Sequence, residues 1–155
     1  MKESFYPDRD SIRDFCIRAE TLFRDWNIAS ADAMDMVISF EEALTNIFEH
    51  GFCQKSGEHC IVSVEIFKSH HSIYIIITDC GVSFSFDNIT MPERATYLDS
   101  NRIGGFGIGL IRNLMNHVAQ FRLNDENVMI LTKKVSGVVP GYGGIAENYH
   151  GCLQE

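Results

Sequence analysis

Apolar residues along the chain recur with two different periods, and the switch between them outlines the fold. From residue 10 to 26 the positions Ile12, Phe15, Ala19, Leu22, Phe23 and Trp26 are spaced by three and four, which predicts an amphipathic helix capped by Asp10 or Ser11. Asn27-Ile28-Ala29 reads as a tight link, and Ser30 is placed to cap a second helix that runs to about His50 and ends at Gly51. On that second helix Ala33, Val37, Phe40, Leu44, Ile47 and Phe48 form an apolar side. Asp35, Ser39, Glu42, Asn46 and His50 form a polar stripe in front of it.

Elsewhere the period is two. Residues 2–6 alternate and predict a short edge strand stopped by Pro7. Two β-rich runs, 61–67 and 73–78, joined by residues 68–72, predict an antiparallel hairpin. The second run is continuously apolar, which places it mid-sheet with both faces covered and helices packed on it. Residues 85–103 are polar and weakly patterned, too long for a passive connection, and predict a mobile lid with one helical turn near 92–98. A glycine-rich turn at 104–110 feeds a third helix bearing Ile111, Leu114, Met115 and Val118. A last hairpin follows, with strands at 119–123 and 128–135 around the turn Asn124-Asp125-Glu126-Asn127. This predicts one domain over residues 1–135 and a Gly-rich tail over 136–155, extended or loosely docked.

Composition narrows the functional classes. At 155 residues with 45% hydrophobic positions the chain can bury a core without staples. A formal net charge of -8 speaks against nucleic acid as a partner, since phosphate backbones are bound by clustered Lys and Arg. Lys133-Lys134, the only adjacent basic pair, reads as a strand end. Five cysteines, with no Cys-x-x-Cys, indicate neither a disulfide framework nor a zinc site and favour a reduced, cytoplasmic setting. His70-His71 reads as a turn. No run reaches the roughly 20 apolar residues of a spanning helix, so no membrane association is expected.

Three stretches carry candidate chemistry. Glu42 and Asn46 lie one helical turn apart, and a carboxylate with a carboxamide at that spacing can hold a hydrated divalent cation. Asp79 ends the buried strand, where a carboxylate needs a partner, and Gly81 two positions on lets the backbone approach a ligand closely. An exocyclic amine such as that of adenine would satisfy Asp79. Gly104-Gly105-Phe106-Gly107-Ile108-Gly109 opens a helix whose free N–H groups and dipole suit phosphate.

Together and in this order, Glu42-x-x-x-Asn46 with His50-Gly51-Phe52, then Asp79-Cys80-Gly81, then Gly105-Phe106-Gly107, resemble the motifs of the GHKL ATPase superfamily of gyrase, heat-shock chaperones and sensor histidine kinases. The likeness covers residues 5 to 135 and is strongest to the small bacterial anti-sigma-factor serine kinases. It implies an α+β, Bergerat-type two-layer sandwich, a mixed and largely antiparallel sheet with helices on one face. Carried over by position, Asn46 would hold Mg2+, Glu42 would act as general base, and Asp79 would bond the adenine amine of ATP. Gly81 would make room for the base, Gly105, Gly107 and Ile108 would meet the phosphates, and Thr132 would lie near the adenine. Arg102 would reach a terminal phosphate or be a solvated lid charge. Asp35 and Ser39 are left as solvated face or partner contact, and His50 as a helix-end residue near the site.

The implied partners are a sigma factor and a STAS-type anti-anti-sigma protein whose serine is phosphorylated; a homodimer is also compatible. The resemblance has departures. Ser83 replaces a second glycine, Glu41 adds a carboxylate beside Glu42, and the Gly-rich tail has no counterpart. Two other readings stand beside it. One is a binding module that keeps the nucleotide fold without transfer. The other is a detached histidine-kinase catalytic domain, which would need a phosphoacceptor hairpin that the ten residues before the first helix do not supply.

Overall fold

The structure is a computed structural model that describes residues 1–51, 61–69, 71–83 and 106–136. Its elements are β1 (Lys2–Phe5), α1 (Arg9–Asp25), α2 (Ser30–Asn46), a π-helical turn (Ile47–Gly51), β2 (Val62–Ser69), β3 (Ser72–Asp79), α3 (Phe106–Leu114), β4 (His117–Leu123) and β5 (Glu126–Lys134). The strands form one sheet in the order β1-β2-β3-β5-β4. Every pairing among the described strands is antiparallel, so the sheet is not mixed as expected. The apolar strand β3 takes the central place its composition predicts.

Helices α1, α2 and α3 lie on one face of the sheet. Phe15, Phe23, Met36, Phe40, Leu44 and Ile111 pack there against Val64, Ile66, Ile73, Ile75, Ile77 and Leu131. Phe15 links the layers, with ring centroids 5.3 Å from Phe5 on β1 and 5.3 Å from Phe40 on α2. Loss of such a ring costs about 3–5 kcal/mol. A smaller cluster of Ile76, Val128 and Ile130 occupies the opposite face.

The helix starts differ from expectation. Asp8, not Asp10 or Ser11, caps α1, its carboxylate accepting from the Ser11 N–H at 2.8 Å. Helix α2 begins at Ser30 after Ala29, without a side-chain cap. Asn27 has φ 53°, the left-handed conformation that makes the link between α1 and α2 tight. Strands β2 and β3 continue further than the composition of residues 68–72 suggests, pairing as far as Ser69 with Ser72.

Asp35 and Ser39, expected as solvated face or partner contact, are engaged within the chain itself. Ser39 is buried and donates to the Asp35 carbonyl at 2.7 Å. The Asp35 carboxylate pairs with Lys133 at 2.6 Å, and Lys133 also donates to the Leu114 carbonyl at 2.8 Å. One buried ammonium thus joins α2, α3 and β5. Cys16 is free and buried, its thiol pushed up to about 12 by burial and by Glu41 and Glu20. No helix among the described residues is long and apolar enough to cross a membrane. The expected lid over 85–103, the turn residue His70 and the tail beyond residue 136 lie outside the described residues.

Candidate functional site

A cavity of about 230 Å³ opens between the end of α2, the end of β3 and the start of α3. Its apolar wall is built by Ala43, Ile47, Ile108, Ile111 and Met129, residues that the helical and strand periods turn inward. Its polar rim holds Asn46, His50, Asp79, Gln120 and Asn127.

At one end, Asn46 is the last residue of α2 and donates from Nδ2 to Glu42 Oε1 at 3.4 Å. The helix then widens into the π turn Ile47–Gly51, a departure from α geometry that is frequent at functional sites. That turn brings His50 and Gly51 to the cavity. Glu42 also lies directly against Gly107 at the start of α3: a Cβ on Gly107 would overlap the Glu42 carboxylate. Two motifs 65 positions apart in the chain therefore meet.

At the other end, Asp79 is only 7% exposed. Its Oδ1 accepts from the Gly81 N–H at 2.7 Å and from Asn127 Nδ2 at 2.9 Å. The Val82 N–H donates to the Gly51 carbonyl at 3.1 Å, tying the turn after β3 to the end of the π turn. Gly81 sits in the pinch. A Cβ there would stand 2.7 Å from Asp79 Oδ1 and 2.8 Å from the Gly51 carbonyl oxygen, closer than real Cβ atoms approach, so only glycine fits. Ser83 is exposed and lines the cavity.

The structure thus brings together Glu42, Asn46, Asp79, Gly81, Gly107 and Ile108. It does not bring Thr132 with them. In β5 the residues Met129, Leu131 and Lys133 face the helices, and Thr132 alternates to the opposite face, in register with Tyr74 and His117. Gly105 and Arg102 lie outside the described residues.

Asn127 on the rim and Arg122 beside it had no role in the sequence reading. Asn127 looks like part of a turn, but Asn124 and Asp125 alone make it, with φ 49° and 66°, the signature of a two-residue hairpin loop. That places Asn127 in β5, two and four residues from the helix-facing Met129 and Leu131. Arg122 lies opposite it on β4. An Asn-Asp pair between two strand-like runs was the signal that could have found both.

The cavity suits a nucleotide: a buried carboxylate for an amine at one end, apolar side chains between, and the Asn46 carboxamide and Ile108 of α3 at the other, with Glu42 behind Asn46. Residues 5–133 match the histidine kinase-like ATPase domain family. The serine-protein kinase RsbW of Bacillus thuringiensis is 31% identical over 110 residues, 66% of this chain and 64% of that protein. The chain therefore aligns with just under two thirds of that relative's length. RsbW of Bacillus velezensis is 27% identical over 123 residues, covering 76% of this chain and 74% of the relative. Among solved structures, the RsbU and RsbW domains of a Mycobacterium tuberculosis protein superpose with a TM-score of 0.58 at 12% identity, over 88% of this chain and 33% of theirs. The SiaB–SiaC complex of Pseudomonas aeruginosa gives 0.53 at 14%, over 88% and 89%. The catalytic domain of histidine kinase ThkA gives 0.51 at 14%, over 86% and 95%. At those identities the structures speak for the fold, and the family match decides membership: this chain belongs to the histidine kinase-like ATPase domain family.

Proposed function

We propose that the chain is an ATP-dependent protein serine kinase of the anti-sigma-factor type. The observation that carries the proposal is the meeting of Glu42 with both Asn46 and Gly107, across one cavity from the buried Asp79. The relatives named as serine-protein kinases support it.

In this reading Asp79 accepts the adenine amine, and Gly81 leaves room for the base. The N–H groups at the start of α3, at Gly107 and Ile108, face the phosphates, where the positive end of a helix dipole favours negative charge. Among the described residues no group of three His, Cys, Asp or Glu side chains could hold a metal alone. A magnesium ion would therefore rest on Asn46 with water and phosphate oxygens, the few-ligand arrangement that this ion prefers. When bound it neutralises charge on the phosphates during transfer. Glu42 lies one helical turn from Asn46 and takes the proton of the attacking serine hydroxyl. The serine oxygen forms a bond to the γ-phosphorus as the bond to the bridging oxygen breaks, and ADP leaves.

The serine belongs to a STAS-type anti-anti-sigma protein, and the same domain sequesters a sigma factor in the cytoplasm. The test is transfer of label from ATP, with magnesium, to candidate anti-anti-sigma proteins. The wild type should label a serine, and Glu42→Ala should lower the rate about 100-fold or more while still binding nucleotide. Nucleotide bound by the wild type without transfer to any serine would overturn the kinase reading and leave a binding module.

A further inference from the structure

We infer that Arg122 and Asn127 are positioning residues that set base selectivity, holding the Asp79 carboxylate in the orientation that accepts a 6-amino purine and disfavours a 6-oxo purine. The inference rests on the nucleotide reading above and adds to it two residues that carry no motif.

The hydrogen-bond chemistry permits one arrangement. Arg122 Nη1 stands 3.0 Å from Asn127 Oδ1, and a guanidinium can only donate. The amide oxygen of Asn127 must therefore face Arg122, which turns Nδ2 the other way. There it meets two acceptors, Asp79 Oδ1 at 2.9 Å and the Val82 carbonyl at 3.0 Å, and both of its protons are used. Asp79 Oδ1 takes a second donor, the Gly81 N–H at 2.7 Å. With Oδ1 engaged twice, a base entering the cavity has Oδ2 as its acceptor, and the carboxyl plane is held from behind. An exocyclic amine donates to that oxygen. A 6-oxo group brings a second acceptor to the same place, which costs affinity.

Arg122 further donates to the Gly81 carbonyl at 3.4 Å, so the same side chain steadies the turn that Gly81 makes. It reaches inward from β4, an edge strand, and is itself partly exposed. Its replacement should leave the core intact. Without it, Asn127 Oδ1 loses its donor, and the amide that holds Asp79 is fixed from one side only.

The experiment measures the affinity of the full chain for ATP and for inosine triphosphate by calorimetry, in wild type, Arg122→Met, Arg122→Lys and Asn127→Leu, with thermal melting of each. The wild type should prefer ATP. Arg122→Met and Asn127→Leu should shrink that preference about tenfold, mainly through weaker ATP binding, and Arg122→Lys, which keeps a donor, should restore much of it. A variant that weakens both nucleotides equally, or leaves the ratio unchanged while folded, overturns the inference. A wild type that binds ATP and inosine triphosphate alike overturns it together with the base-reading role of Asp79. A wild type that binds neither overturns the nucleotide reading itself. Asn127→Leu matters only if folded; the partly exposed Arg122 supplies the variant that should fold regardless.

Discussion

The two ends of the cavity are built differently. At the base end, Asp79 is held by the backbone of its own turn, by Asn127 of β5 and, through it, by Arg122 of β4. Four chain segments converge on one carboxylate, since Gly51 closes the turn from the side. At the other end, Glu42 and Asn46, two half-buried side chains of one helix, share a hydrogen bond of 3.4 Å, and Glu42 packs against Gly107. In the proposed function the Asp79 end is thus preorganised for the base, whereas Glu42 and Asn46 are tied to each other by one long hydrogen bond. A site that must close on a triphosphate and then release a diphosphate has use for that division.

Two glycines let this contrast be broken at either end. The largest expected effect is Gly107→Ala. Its new methyl would overlap the Glu42 side chain, which can swing away, so the fold should survive while the proposed base is displaced. Label transfer should fall about tenfold to 100-fold, with the melting temperature little changed. At the base end, Gly81→Ala puts its methyl 2.8 Å from the Gly51 carbonyl oxygen, and backbone cannot step aside cheaply. Stability should fall by about 1–3 kcal/mol, read as a lowered melting temperature accompanied by weaker ATP binding. If Gly107→Ala were the one to unfold and Gly81→Ala were silent, the contrast between a loose and a rigid end would be wrong.

The smallest effect belongs to a position remote from both ends. The Ser11 backbone amide beside Asp8 holds its carboxyl below the ordinary value of 3.8. A lowered folded value means that the cap stabilises above the unfolded value and that its contribution is lost as the pH falls through the folded one. Asp8→Ala should therefore lower the melting temperature slightly at neutral pH, and the gap from wild type should close below about pH 4. ATP affinity at neutral pH should not move.

Much of this was readable in the sequence, and the failures share a cause. Periodicity located α1, α2, the β2–β3 hairpin and the central β3, because burial on one face imposes a spacing that no other role produces. Glu42, Asn46, Asp79, Gly81 and Gly107 stood out because each pairs an unusual residue type with a structural edge: a helix end, a strand end, a helix start. Asn127 was hidden because an Asn after Asn-Asp reads as more turn, although the loop is only two residues long. Thr132 lies on the face of β5 away from the helices, because in a strand a single step moves a side chain to the other face. Asp35 looked solvated because its partner, Lys133, lies 98 positions away, and such ion pairs leave no local pattern.

In the proposed function Asp79 and Asn46 hold opposite ends of one ATP molecule. Calorimetric titration of ATP with magnesium into wild type, Asp79→Asn and Asn46→Ala separates the two ends. Asp79→Asn should weaken binding about tenfold with or without the metal, and Asn46→Ala should weaken only the magnesium-dependent part. ATP affinity left unchanged in both variants would rule out that placement.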